Sequence, residues 1–435
     1  MQLTEQVDRW IESNREEMVE TLSKLIQIKT ENLPPNGEEK RGQEFLYDEL
    51  RRMVPKANLD VFQIDDIAGI REHPDFFSTL DGVERNYNDR PIVTASLPGS
   101  GGGRSMVFSG HMDTMPAGGQ KWSVFADPFS GQVRDGKMYG RGSMDMKAGT
   151  LSGFYALKCL QDLGLQLSGD VFAESVVDEE NGGANGTLAA RLRYPQIDFG
   201  IVTEPTDLAV GIETLGGADW KASVTVEGPG GFAFGQEIPN AAYKLARVAT
   251  ALDQFDKQRQ KNTAIPETYD RDTLLRILTL QLCAGGSTYL ESGSVPTKGH
   301  IYFWMEAFEY MKQNDVRRDL VEFMERELKQ YAEFQDSPPL FEPVTRFLHG
   351  HRTDPKHPAL ESVRAAFAAT GLECRCRGLD LACDAFIFQR AARHCDVVVL
   401  GPGGGNPHGS DEYVELDTVF SLLRILVLSA AAYCR

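Results

Sequence analysis

The sequence predicts an α/β fold: a parallel-rich mixed sheet flanked by helices, interrupted by an inserted α+β domain of ferredoxin-like β-α-β-β-α-β type. Three observations predict it. Strand-like and helix-like segments alternate from about residue 90 to 210, the order of βαβ units. The runs SMVFSG, DVFAESVV, DFGIVT and DVVVLG are continuously apolar, as parallel strands buried on both faces are. At about residue 216 the texture changes to alternating strands and amphipathic helices, and the apolar runs resume near the C-terminus. The expected division is residues 1–215 and 341–435 for the α/β domain and 216–340 for the insertion.

The elements follow in order. Residues 4–30 form a long helix, because Val7, Trp10, Ile11, Met18, Leu22, Leu25 and Ile26 recur at helical spacing. GEEKRGQEFLYDELRRMV supplies a second helix. PIVTASLPGSGGGRSMVFSGHMD reads as a hairpin-like strand pair around the Gly-rich loop 99–103. That loop carries neither GxxxxGK[ST] nor GxGxxG, so it is not expected to cradle phosphate. DMKAGTLSGFYALKCLQDLG and GGANGTLAARLR are helices that begin just after Asp145 and Glu180. In the insertion, LGGADWKASVTVEG, LLRILTLQLCAGG and GHIYFWMEAFEYM are strands, and PNAAYKLARVATALDQFDKQ and NDVRRDLVEFMERELKQYAEF are helices. Residues 340–358 read as a return linker, whose His349, His351 and His357 are expected in a solvated loop. PALESVRAAFAATG is a helix, VVVLGPG a strand, and VFSLLRILVLSAAAY a buried terminal helix, too short and Arg-interrupted to span a bilayer.

A chain of 435 residues is too long for one ordinary core. Its net charge of -18 argues against nucleic acid and anionic membranes, which need clustered Lys and Arg. The polar, acidic start MQLTEQVDRWIESNREEM is not expected to be a secretory signal. The seven cysteines are scattered, with Cys374 and Cys376 the only close pair, so free thiols in a cytoplasmic protein are expected.

The ends of the apolar runs carry the chemistry: His111 and Asp113 in FSGHMDTMP, Asp145 in YGRGSMDMKAG, Glu179 and Glu180 in SVVDEENGG, Glu204 in IVTEPT, and His408 in GPGGGNPHGSDEY. Loops at the carboxyl ends of parallel strands are where such folds place their sites. A metal-binding imidazole needs a partner on its other nitrogen, which gives His111 as ligand and Asp113 as orienter. Alone, an HxD pair is commonly incidental. Asp145 suits a helix N-cap, or a carboxylate bridging two cations. Adjacent carboxylates at a buried strand end repel, so Glu179 and Glu180 imply a cation or a raised pKa. Successive side chains point different ways, which leaves Glu180 as ligand and Glu179 as general base, with Asp178 structural. Glu204 suits a turn or an oxygen ligand. Two His with carboxylates and no Cys favour Zn²⁺, with Co²⁺ or Mn²⁺ as alternatives. Together the residues point to a dinuclear hydrolase.

At SGHMDT, WSVFADPFSGQVRDGKMYGRGSMDMKAG, VVDEENGG, IVTEPT and GPGGGNPHGSDEY the chain resembles the co-catalytic zinc amidohydrolase and exopeptidase family. That family includes acetylornithine deacetylase, succinyl-diaminopimelate desuccinylase, the aminoacylases and the glutamate carboxypeptidases. The resemblance implies a zinc exopeptidase-type fold with the insertion as a lid that often makes a homodimer. It implies one zinc on His111 and Glu204, another on Glu180 and His408, Asp145 between them, Glu179 as base and Asp113 orienting His111. The implied activity is hydrolysis of an amide in a small molecule: deacylation of an amino-acid-like substrate, or alternatively a dipeptidase or carboxypeptidase. A non-catalytic binding protein on this fold is a further alternative. The lid departs from the family: Phe232 stands where a His is usual, Gly293 where an Asn is usual, and IYFWMEAFEYM lacks the usual Arg. No substrate-binding residue is assigned.

Overall fold

The computed structural model describes the chain apart from Met1, Gln120, Pro229, residues 232–237, 287 and 289–292, and Ala392. In chain order, leaving out the shortest strands and the 3-10 turns, its elements are α1 (Leu3–Gln27), α2 (Lys40–Met53), β1 (Asn58–Phe62), β2 (Ile92–Leu97), β3 (Met106–His111), α3 (Ala148–Asp162), β4 (Val171–Val176), α4 (Asn185–Arg193), β5 (Phe199–Val202) and β6 (Val210–Thr214). There follow β7 (Gly216–Thr225), α5 (Ala241–Asn262), β8 (Ile277–Ala284), β9 (Lys298–Ala307), α6 (Gln313–Leu328) and β10 (Leu340–Pro343). The last are α7 (Pro358–Thr370), β11 (Cys376–Leu379), α8 (Phe386–Arg390), β12 (Asp396–Val399) and α9 (Leu416–Tyr433).

Two compact units result, one of residues 1–213, 351–379 and 383–435, the other of 214–350 with 380–382. The first holds an eight-stranded sheet of order β11-β6-β12-β5-β3-β4-β2-β1. Its centre, β12-β5-β3-β4, is parallel, and β2 runs antiparallel to β4. The central strands are mostly apolar, and every residue of β3, β4 and β5 is buried. The seven apolar positions of α1 that set its helical period are all buried. Their burial on the same core as α3, α7 and α9 supplies the hydrophobic driving force for this layer. Helix α9 is long and apolar enough to cross a membrane, but it is mostly buried among these elements and serves as a core helix. Pro358 at the first turn of α7 and the left-handed Gly371 after its end fix that helix at both limits.

The second unit is an antiparallel sheet of order β8-β9-β7-β10 with α5 and α6. Ile301, Phe303 and Met305 of β9 are buried with Leu245 and Val248 of α5 and Leu320 and Phe323 of α6. The Asn240 side chain caps α5 by accepting from the Ala242 N–H.

Three expectations are corrected. The segments flanking loop 99–103 are not a hairpin, because β4 lies between β2 and β3 and pairs with both. The stretch after residue 340 is not simply a linker. Leu340–Pro343 pairs with Ser223–Trp220 as an edge strand, and Leu348 exchanges two backbone hydrogen bonds of 2.8 Å with Gly217. The second unit therefore reaches Gly350 rather than residue 340. His351 is fully buried rather than solvated.

Candidate metal centre

The site grows from the C-terminal edge of the parallel strands in the first unit. His111 is the last residue of β3 and is buried. Its Nδ1 lies 2.8 Å from the Asp113 backbone carbonyl, which fits an Nδ1–H donor and leaves Nε2 free to ligate. Nε2 stands 3.4 Å from Asp145 Oδ1, 3.4 Å from Glu204 Oε1 and 3.8 Å from Glu179 Oε2. The Asp113 carboxylate sits farther from the ring, at 3.7 Å from Nδ1. It accepts instead from the N–H groups of Glu180 (3.0 Å) and Glu179 (3.3 Å) and from Asn32 Nδ2 (2.8 Å). The Asp113 backbone carbonyl thus meets His111 Nδ1, and the Asp113 side chain fixes the turn that carries the Glu pair.

Asp145 lies in the segment before α3, not at the helix N-cap, which is Lys147. Gly149 in the first turn of α3 lets the helix approach β5: a Cβ there would meet the Thr203 carbonyl oxygen at 2.0 Å. Asp145 Oδ2 stands 3.1 Å from His408 Nε2, and Glu180 Oε2 is 3.2 Å from the same nitrogen. The two oxygens of Asp145 therefore face two different imidazoles. Among the described residues, two groups that could hold a metal ion emerge, His111–Glu179–Glu204 and Asp145–Glu180–His408, each with its donor atoms mutually within 4.8 Å.

Burial pushes the Glu179 carboxyl well above its usual range, and Glu204 up to about 8. Burial opposes a charge on His111, yet Glu204 and Asp145 hold its pKa well above normal. The Glu180 and Asp145 carboxylates beside His408 raise it to about 12. The fold thus crowds four carboxylates around two imidazoles and must hold protons among them. Divalent cations suit this set better: they neutralise the carboxylates and take N and O donors.

Sequence reasoning missed the groups behind the ligands. Glu412 accepts from Arg141 Nη1 at 2.7 Å and from the backbone N–H groups of Gly142, Met144 and Asp145 at 3.1, 3.0 and 3.2 Å. Arg141 also donates to the His408 carbonyl at 3.0 Å, so one ion pair ties both loops. Burial raises Glu412 to about 7 against the pull of Arg141, and the nearby Asp145 charge adds to the rise. The sequence marks them only by an opposite pair of charges, each four residues from a candidate ligand, which is too little to find them. Asp178 is structural as expected: it is buried against Arg85 Nη1 (2.6 Å) and the Tyr87 hydroxyl (3.0 Å). In the second unit, Phe232 lies outside the described residues. Gly293 is exposed, with open space where a Cβ would stand.

A family model described as Peptidase family M20/M25/M40 matches residues 107–432. Succinyl-diaminopimelate desuccinylase of Methylobacterium radiotolerans is 34% identical over 179 residues, 39% of this chain and 45% of that protein. The chain therefore spans about half the length of that relative. N-formyl-4-amino-5-aminomethyl-2-methylpyrimidine deformylase of Bacillus subtilis is 22% identical over 372 residues, 80% of this chain and 84% of that protein. Human carnosine dipeptidase 1 has the same fold, with a TM-score of 0.75 at 16% identity, covering 99% of this chain and 100% of that one. The chain belongs to peptidase family M20/M25/M40.

Proposed function

We propose that the protein hydrolyses an amide bond in a small molecule, removing an acyl group from an amino-acid-like or small amine substrate. One observation carries the reading: Asp145 turns one oxygen toward His111 and the other toward His408, with Glu179 beside them. His111 and Glu204 would hold one divalent cation, Glu180 and His408 a second, and Asp145 would lie between them. Zinc is the proposed metal, since the donors are N and O with no thiolate, and cobalt or manganese are the alternatives. When bound, the cations supply Lewis acidity that acidifies water and polarises a carbonyl. Glu179 takes the proton of the attacking water and returns it to the leaving nitrogen. Asp113 and Asn32 hold the Glu179–Glu180 turn in place through this cycle.

The desuccinylase and deformylase relatives support deacylation over peptide cleavage. The test is a panel of N-acyl amino acids, N-acyl amines and dipeptides offered to zinc-loaded protein and to Glu179→Gln. Deacylation of the first two classes is expected, with the variant keeping its zinc and losing about 10²–10⁴-fold in kcat. Cleavage of dipeptides alone overturns the deacylase reading, and full turnover in the variant removes Glu179 from the base role. We further propose a cytoplasmic homodimer. Free cysteines support the compartment. The edge strand β8, with exposed Leu278, Leu280 and Leu282, supports self-association through the second unit.

A further inference from the structure

Cys374 and Cys376 lie far from the ligating groups in sequence and take no part in the hydrolysis proposed above. Their Sγ atoms are 3.8 Å apart. Cys376 opens β11, the edge strand of the main sheet, and the exposed Arg375 stands between the two thiols. Residues two apart on an extended segment share a face, so the two sulfurs point the same way. The Arg375 carbonyl accepts from the Val210 N–H at 2.8 Å and holds this segment against the sheet. Both thiols are half-buried, whereas Cys159, Cys383, Cys395 and Cys434 are buried. Arg364 on α7 faces Cys376.

We propose that Cys374 and Cys376 form a redox-responsive dithiol that closes to an intrachain disulfide when the protein meets a peroxide. The geometry permits it. Two residues of extended chain span about 6.6 Å between Cα atoms, at the upper end of the disulfide range of about 4.4–6.8 Å. Side-chain rotation must then bring the sulfurs to about 2.05 Å. The chemistry is asymmetric. The Cys374 S–H, donated to its partner, and the Arg364 guanidinium lower the Cys376 thiol below its usual range against burial. Cys376 is therefore the nucleophile. Its thiolate attacks one oxygen of hydrogen peroxide, the O–O bond breaks, and hydroxide leaves and is protonated to water. Cys374 then attacks the sulfenic sulfur, the S–O bond breaks, and the Cys374 proton leaves with the second water. Two thiols give up two electrons and one peroxide accepts them. A surface dithiol of this kind stays reduced in a reducing compartment and records an oxidative excursion.

The experiment uses the full-length, zinc-loaded protein. It is treated with equimolar hydrogen peroxide, free thiols are alkylated, and the peptide spanning residues 374–376 is weighed. The expected peptide has lost two hydrogens, carries no alkyl label, and regains both labels after dithiothreitol. In Cys374→Ser, given a second equivalent of peroxide, Cys376 should proceed through the sulfenic to the sulfinic acid instead. In Arg364→Gln the disulfide should form roughly tenfold more slowly, as the thiolate fraction falls. The proposal is overturned if the wild-type peptide keeps both labels at a dose that oxidises the partly exposed Cys283. It is equally overturned if wild type and Cys374→Ser give the same Cys376 product, or if labelling is blocked by a thiolate-held cation with no loss of mass.

Discussion

Truncating Glu412 to Ala separates support of the centre from the centre itself. One carboxylate oxygen takes Arg141 Nη1 at 2.7 Å and the Gly142 N–H at 3.1 Å; the other takes the Met144 and Asp145 N–H groups at 3.0 and 3.2 Å. The Arg141 and Glu412 side chains are only 1% and 0% exposed, so solvent does not screen the pair. Removing one member of a buried ion pair costs about 3–5 kcal/mol, because the other charge stays behind. Three amides also lose their acceptor, at about 1 kcal/mol each or more, which water entering the vacated space partly offsets. A net loss of about 5 kcal/mol is expected. At about 2–4 °C per kcal/mol for a domain of this size, the melting temperature should fall by roughly 10–20 °C. Loss of such support typically weakens metal binding by about 10–100-fold, here by freeing the Asp145 and His408 loops. Glu412→Gln should fall between, since it keeps the volume and one acceptor but places an amide donor against backbone donors. Thermal melts of the zinc-loaded proteins give the first quantity, and competition against a chromogenic chelator gives the second. An Ala variant that melts within about 2 °C of wild type and binds zinc as tightly would refute the reasoning.

Asp145→Ala should lose bound zinc on dialysis, as measured by elemental analysis, since its two oxygens face both imidazoles; retention of two equivalents would contradict the bridge. His351 is buried, and burial holds its pKa down to about 4 despite backbone partners at Gly211 and Val397. The unfolded chain, with a His near 6.5, binds the extra proton first, so this stability is full above about pH 6.5 and is lost as pH falls toward 4, by about 3 kcal/mol. Urea unfolding at pH 7.5 and pH 4.5 should show His351→Gln losing less stability on acidification than wild type, and equal losses would reject the assignment. Leu280, the most exposed leucine of β8, should shift a dimer to monomer in sedimentation when changed to Lys, and an unchanged mass would exclude β8 from the interface.

The main sheet was legible because buried parallel strands write themselves as apolar runs. SMVFSG, DVFAESVV, DFGIVT and DVVVLG all become central strands. Pairing was not legible. β2 and β3 are close in sequence, yet β4 comes from sixty residues later in the chain to lie between them, and nothing local encodes that. Leu340–Pro343 looks like linker because two prolines precede it and another ends it, although an edge strand tolerates proline where no ladder bond is needed. His111, Asp145, Glu179, Glu180, Glu204 and His408 could be picked out by their own chemistry, and the fold brings them together. Arg141 and Glu412 could not, because an Arg and a Glu in Gly-rich loops look like solvated charges until the fold buries them together.

The centre is therefore held by two different devices. Strand register sets the first. Val202 of β5 pairs with Ser109 of β3, so Glu204, two residues farther, is level with His111, and the strands lie about 4.8 Å apart. Val176 of β4 pairs with His111 itself, and the Glu pair follows within four residues, its turn fixed by the Asp113 carboxylate. A one-residue slip would turn these side chains to the other face, so their placement is as secure as the sheet. Asp145 and His408 lie outside the central strands, in loops beside a small antiparallel sheet that pairs Lys137–Tyr139 with Tyr413–Glu415, and Arg141 and Glu412 tie those loops together. The two groups should then fail in order. Weakening the ion pair should release the cation shared by Asp145, Glu180 and His408 while His111 and Glu204, fixed by register, keep their spacing.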